Sequence, residues 1–319
     1  MESNSEIRGR AWLLLWREKW FWKLLGGTVL LNVCAQVISS ALNGALHRLG
    51  VFGMGALAGA LEDYAKNRAP LPELTPDLAV QFATSTALVL FFAFIMGGIS
   101  AYGRSALLLR AADGNGAGWL KAAFGGFKMP LGLAWLSFRA CLIYTGWSVV
   151  AFVPASAVVW LARVASPPAA LALPAYALAG TLACGLAAAV LCVPFYRYRY
   201  LFRVKADHPD WGAGRCLREC AALSRGFKWR CFVHDCSYWR ALLAPLLLLL
   251  LCVAAVCAVS CARFWCPQGL RDAVVATGAL LCVAMYLAVV AMAVVVGFYV
   301  GVGQTLLYRD VAREGEVRT

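Results

Sequence analysis

Apolar residues in this chain run in long stretches separated by short segments rich in Arg, Lys and aromatic residues. Six stretches reach bilayer length: residues 24–46, 79–109, 131–163, 169–202, 241–262 and 273–307. The hydrocarbon layer is about 30 Å thick, and a helix needs about 20 apolar residues to cross it. A helix also closes its backbone hydrogen bonds internally, as lipid requires. The pattern predicts an all-α membrane protein with six transmembrane helices. Several runs are long enough to tilt or to extend beyond the bilayer.

A repeat is written onto these runs. A Tyr precedes an Asp by the same spacing three times: Tyr102 and Asp113, Tyr196 and Asp207, Tyr299 and Asp310. Gly126-Phe127-Lys128 recurs as Gly226-Phe227-Lys228, and Ser137 recurs as Ser237. Lys19-Trp20 stands where Lys228-Trp229 stands later. The reading is three helical hairpins, approximately residues 7–101, 102–195 and 196–310, in one integral membrane domain spanning 1–319. Each hairpin follows a basic, aromatic lead-in at the cytoplasmic surface. A repeat fixes architecture better than any single segment does.

Composition agrees with this pattern. The chain is 62% hydrophobic with a mean hydropathy of +0.72, against about 45–50% apolar residues in a soluble domain. The first run is read as an uncleaved helix rather than a signal peptide. Its lead-in is long, and interleaves Arg8, Arg10, Arg17, Lys19 and Lys23 with Trp12, Trp16, Trp20 and Trp22. Such Trp residues form an aromatic belt at a membrane entry.

Net charge is +13, and its distribution explains it without nucleic acid. With six spans, one side holds five Lys/Arg before the first run, four in 104–128, nine in 197–230 and three in the tail, 21 in all. The other side holds six: Arg48, Lys66, Arg68, Arg163, Arg263 and Arg271. Cytoplasmic loops carry the Lys/Arg excess, so both termini are expected in the cytoplasm.

Residues 54–66 read as a short helix on the outer surface. Cys261 and Cys266 fall in an external loop, where an oxidising compartment would permit a disulfide. The other Cys residues, many of them inside the runs, read as small buried hydrophobes.

Two groups of residues are site candidates. The first is the cytoplasmic rim: Lys128, Arg215, Arg218, Arg225, Lys228 and Arg230. In 215–225, Arg215, Arg218, Glu219, Ala222 and Arg225 fall on one helical face, while Cys216, Leu217, Cys220, Ala221 and Leu223 cover most of the rest. This reads as an interfacial amphipathic helix on an anionic leaflet, with about 1 kcal/mol gained per basic residue. The plainer reading is a solvated basic loop that sets topology. The second group is Arg139, His234, Asp235 and Arg240. Arg139 and Arg240 occupy almost equivalent repeat positions. A helix entering at Lys128 or Lys228 carries each about 16–18 Å deep, where an Arg is usually functional. Alternatively both mark the headgroup level, because 140–162 and 241–262 are full spans by themselves. His234 beside Asp235 suggests a proton relay, a catalytic pair of an intramembrane enzyme, or an Asp235 paired with Arg230 or Arg240.

No catalytic, metal or cofactor motif accompanies these residues. The spacings of Cys216, Cys220, Cys231 and Cys236 are not those of a zinc site. Gly114 to Gly118 lacks the P-loop Lys-Ser/Thr and reads as a turn. Expected partners are membrane lipids, anionic ones foremost, and no cofactor.

Several stretches resemble an uncharacterised family of bacterial polytopic membrane proteins, a domain of unknown function. They are Ile7-Arg8 with Arg10-Ala11, Leu120 to Phe127, Val153-Pro154, Ser224-Arg225-Gly226-Phe227-Lys228, Ser237-Tyr238-Trp239 and Tyr308-Arg309-Asp310. The resemblance covers most of the chain and departs at Arg139, Arg240 and the Cys-rich fifth run. It implies a bacterial inner-membrane location and carries no catalytic residue. A more distant similarity to membrane domains attached to glycerophosphodiesterases implies a lipid connection. The reading is a non-enzymatic membrane protein whose basic rim contacts anionic lipid or a partner. The alternative is a small transporter or channel with Arg139 and Arg240 lining a polar cavity.

Overall fold

The computed structural model describes residues 2–48, 76–165, 169–241 and 268–318, with residues 243, 245, 247, 248, 250, 251 and 254 between the last two. The 54–66 segment, Cys261 and Cys266 lie outside the described residues, as does most of the 241–262 run. Every described regular element is helical. In chain order they are α1 (Asn4–Trp16), α2 (Trp20–Arg48), α3 (Pro76–Ala112), α4 (Trp119–Ala123), a 3-10 turn (Phe124–Lys128), α5 (Pro130–Val164), α6 (Ala169–Tyr198), α7 (Leu201–Asp207), α8 (Ala213–Leu223), α9 (Lys228–Cys236) and α10 (Gln268–Arg318).

Local chemistry explains the boundaries. Ser3 caps α1 in a capping box, its Oγ accepting from the Glu6 N–H while the Glu6 carboxylate accepts from the Ser3 N–H. Hydrogen bonding from Ser3, its backbone N–H first and then its side chain, holds the exposed Glu6 carboxyl below its ordinary pKa. Pro130 opens α5, where its missing N–H costs nothing. Gly114 and Gly118 both take positive φ and close the turn between α3 and α4, as the sequence predicts. Pro154 lies inside α5, and the helix runs through it.

Five helices are long and apolar enough to cross a membrane: Trp20–Ala41, Thr86–Ala112, Pro130–Val164, Ala175–Asp207 and Ala276–Glu314. Their outward faces stay uncovered. Val149, Phe152, Trp160 and Val164 of α5 are all exposed, and each such side chain gives up about 1.5–3 kcal/mol when left in water instead of an apolar medium. A bilayer supplies that medium.

The chain divides into two compact units. One comprises Met1–Leu24, Leu108–Gly116 and Arg225–Thr319, the other Leu25–Leu107 and Ala117–Ser224. In the first, Ile7, Ala11, Leu14 and Leu15 form the buried stripe of α1, which packs on α10. Val302, Leu306 and Leu307 are buried on α10. In the second, α5 and α6 pack as an antiparallel hairpin. Ile99, Tyr102 and Leu133 form its buried cluster, with Met96, Met129 and Phe202 against it.

Candidate functional site

In the second unit, the rim is organised by the short helices after α6. Helix α8 runs only to Leu223, so Arg225 lies in the following turn and not on its basic face. Arg215 and Arg218 are exposed, while Cys216, Cys220 and Ala221 are buried. The apolar face of α8 therefore packs inward on the protein, and its exposed side is the basic one. The Cys220 thiol donates to the Arg197 carbonyl at 3.5 Å, and burial pushes its pKa up to about 12. Burial also raises Cys216. These are inert structural thiols. Among the described residues, no three His, Cys, Asp or Glu side chains gather as a metal site.

A buried cation supports this rim. Lys205 Nζ donates to the Pro209 and Trp211 carbonyls at 2.5 and 2.7 Å. That pins the 208–212 loop from beneath. Trp211 stacks on His208 at 3.8 Å, and Arg215 lies over the Trp211 ring at 4.1 Å. Lys205 is 6% exposed and Arg203 8%. Both are among the nine Lys/Arg of 197–230 that the charge distribution assigns to the cytoplasmic side. What could have flagged them is their position in the short run 201–207, between apolar Leu201, Phe202, Val204 and Ala206.

Arg139 lies over the Trp135 ring at 4.8 Å, and a Cβ on Gly214 would stand 3.2 Å from its Nη1. It thus meets the first turn of α8. Lys128 is exposed at the end of the 3-10 turn.

In the first unit, α9 ends at Cys236 and the chain turns at Ser237-Tyr238 before helix resumes. Arg240 therefore sits in a new first turn, exposed and over the Trp239 ring. Arg139, by contrast, lies within unbroken α5. The two equivalent sequence positions occupy different local structures, so the depth reckoned from Lys228 does not hold for Arg240. Arg225 and Lys228 are exposed.

His234 and Asp235 face different partners. His234 is 0% exposed, with Nδ1 3.3 Å from Asn4 Oδ1 and its ring edge-on to Tyr238. Tyr238 in turn meets Tyr299 edge-on at 4.9 Å. Asp235 accepts from the Gln304 amide at 3.3 Å. Arg230 is half-buried. It donates to the Glu2 carbonyl at 2.8 Å and lies 3.6 Å from the Asp310 carboxylate. Asp310 also accepts from the Glu2 N–H. The Arg309 fork binds Asp113 through two bonds, Nε to Oδ1 at 3.0 Å and Nη2 to Oδ2 at 2.7 Å. Arg8 donates to the Ser237 carbonyl.

Two of the three repeated Asp residues thus tie helix ends together through Arg.

An all-helical chain with five membrane-length apolar helices and Arg, Lys, Trp and Asp gathered near their ends has the makings of a multi-pass membrane protein. No protein-family model, curated protein or solved structure matches this chain.

Proposed function

We propose that this chain is a six-span, non-enzymatic inner-membrane protein of three helical hairpins, belonging to the uncharacterised bacterial family it resembles. Its cytoplasmic basic rim binds anionic lipid headgroups.

The parity of the crossings supports the sixth span. Glu2, Asp113, Arg230 and the Arg309-Asp310 pair are within contact distance in a chain of bonds. All of them lie beyond the apolar part of a span, so they share one side of the membrane. Helices α2 and α3 carry the chain from Glu2 to Asp113 in two crossings, and α5 and α6 carry it on to Arg230 in two more. Between Arg230 and Arg309, α10 provides one crossing. A return to the same side needs another, and the 241–262 run is its natural place. Both termini then lie on the side that the Lys/Arg excess marks as cytoplasmic.

The observation that carries the lipid reading is the exposure of Lys128, Arg215, Arg218, Arg225 and Lys228. Exposed Phe127, Trp229 and Trp239 accompany them near the ends of apolar helices. Basic residues beside aromatic ones are the composition of a headgroup layer. Arg139 and Arg240, each over a Trp ring, fit the same layer better than a polar cavity.

The test uses the full-length protein purified into mixed-lipid nanodiscs, with the retained lipid identified by mass spectrometry. The wild type is expected to enrich phosphatidylglycerol over phosphatidylcholine. A variant with Lys128, Arg215, Arg218, Arg225 and Lys228 replaced by Gln is expected to lose that enrichment and keep its helicity. Equal retention of both lipids by the wild type would refute the reading.

A further inference from the structure

The first unit contains a cavity of about 210 Å³ lined by Arg10, Asp113, Leu306, Arg309, Asp310 and Arg313. We propose that it is a binding site for a phosphate group. The proposal takes its ligand class from the lipid-contact reading above but uses none of the rim residues.

Three guanidinium groups line one small space against two carboxylates. Both carboxylates already have cationic partners: Asp113 is gripped by Arg309, and Asp310 lies beside Arg230 and accepts from the Glu2 N–H. Arg10 is oriented by Glu2 at 2.8 Å. Counting Arg230 and Glu2 with the walls leaves four cations against three anions. An incoming anion therefore meets a net positive site whose aspartates serve to orient the arginines. Holding a guanidinium plane in place beforehand lowers the ordering cost of each later bond. Arg309 and Arg313 are four residues apart on α10, so they rise from the same helix face. Arg10 on α1 faces them from a second element. Arg presents planar N–H forks that suit the oxygens of a phosphate better than the point charge of Lys. The volume suits a phosphate with a short polyol attached and is too small for a whole lipid. Because α10 is also an apolar span, the cavity lies at a span's polar end, the level of lipid phosphates. The phosphate can belong to a lipid headgroup or to a soluble phosphomonoester.

The experiment titrates the full-length protein in nanodiscs by isothermal calorimetry and phosphorus NMR. One arm uses phosphatidylcholine discs with added inorganic phosphate or glycerol phosphate. The other uses discs containing phosphatidic acid. One phosphate per chain is expected to bind. Saturation by the soluble compounds assigns the source to solution; binding only in the phosphatidic acid discs assigns it to lipid. Arg313 is exposed, so R313Q should fold, with thermal unfolding as the control. R313Q is expected to weaken binding about tenfold or more, the scale of one charge-assisted hydrogen bond, and R313K to fall between. The five-residue rim variant is expected to bind phosphate as the wild type does. If it loses general anionic-lipid enrichment but keeps this site, both readings stand. If R313Q weakens phosphate binding while the rim variant retains its lipid enrichment, the rim reading falls and the site remains. No phosphate binding in either arm, unchanged affinity in R313Q, or loss of the site in the rim variant would overturn the proposal.

Discussion

Lys19 joins α1 to α2 with a φ of 57°, the described non-Gly residue with positive φ. An L-residue pays roughly 1–2 kcal/mol in this region, while Gly enters it freely but loses more entropy on folding. Lys19→Gly is therefore expected to raise stability by about 0.5–1 kcal/mol, read as a higher thermal midpoint in detergent. A lower midpoint would show that the Lys19 side chain contributes more than its backbone costs. Cys220 gives a second prediction. Its thiol titrates near 12, so at pH 8 it stays protonated and alkylates slowly, while exposed Cys236 reacts. Peptide mapping after a maleimide pulse distinguishes the two. The raised pKa also has a sign for stability. The neutral thiol is favoured in the fold, so its contribution is intact below the ordinary thiol value of 9.0 and declines as pH climbs from there toward about 12. The Arg309–Asp113 pair is bidentate but partly exposed, at 28% and 45%. Solvent screening limits it, and a double-mutant cycle with R309Q and D113N should return about 0.2–1 kcal/mol.

At the scale of elements, glycine spacing sets how closely helices approach. A Cβ on Gly98 would lie 2.8 Å from both the Leu133 carbonyl oxygen and Ser137 Oγ. The first of these is backbone and cannot swing away. A Cβ on neighbouring Gly97 meets nothing within 4 Å. Gly98→Ala is expected to cost about 1–3 kcal/mol, as overpacking does, whereas Gly97→Ala should be neutral or slightly stabilising. Equal effects, measured by thermal or denaturant unfolding in micelles, would deny the close contact of α3 with α5. The repeated motifs teach a related lesson. Gly126 is buried in a 3-10 turn against Ile99 and Leu133, while Gly226 lies in the turn between α8 and α9 at a φ of 83° with open space around it. Trp20 is 1% exposed and Trp229 73%. The same residue letters recur, but packing partners decide their use. A sequence periodicity reveals the recurrence and not the environment.

At the scale of the molecule, the long apolar runs were legible because crossing a bilayer demands length and hydropathy alone. Helices α2, α3, α5 and α6 each begin within about four residues of the predicted start. What was legible of the six basic residues read as a rim is exposure alone: Lys128, Arg215, Arg218, Arg225 and Lys228 are exposed, as their charge suggests. Arg230 was not legible, because its partners Glu2 and Asp310 are more than seventy residues away in the chain. Lys205 was hidden for a related reason, since it satisfies carbonyls of a loop whose path the sequence does not reveal. The phosphate cavity brings together α1, the end of α3 and α10, three segments with no local signature in common. Their meeting also places Asp113 and the Arg309-Asp310 pair on one side of the membrane in the proposed topology.

With the proposed sixth span, the chain makes an even number of crossings and both termini lie on one side. The decisive measurement places one epitope tag at a time before Met1, after Lys66 or after Thr319 and reads antibody access in sealed, oriented membrane vesicles. The two terminal tags are expected to be reached from the same face, and the tag after Lys66 only from the opposite one. Terminal tags reached from opposite faces would mean an odd number of spans and would rule out the sixth crossing.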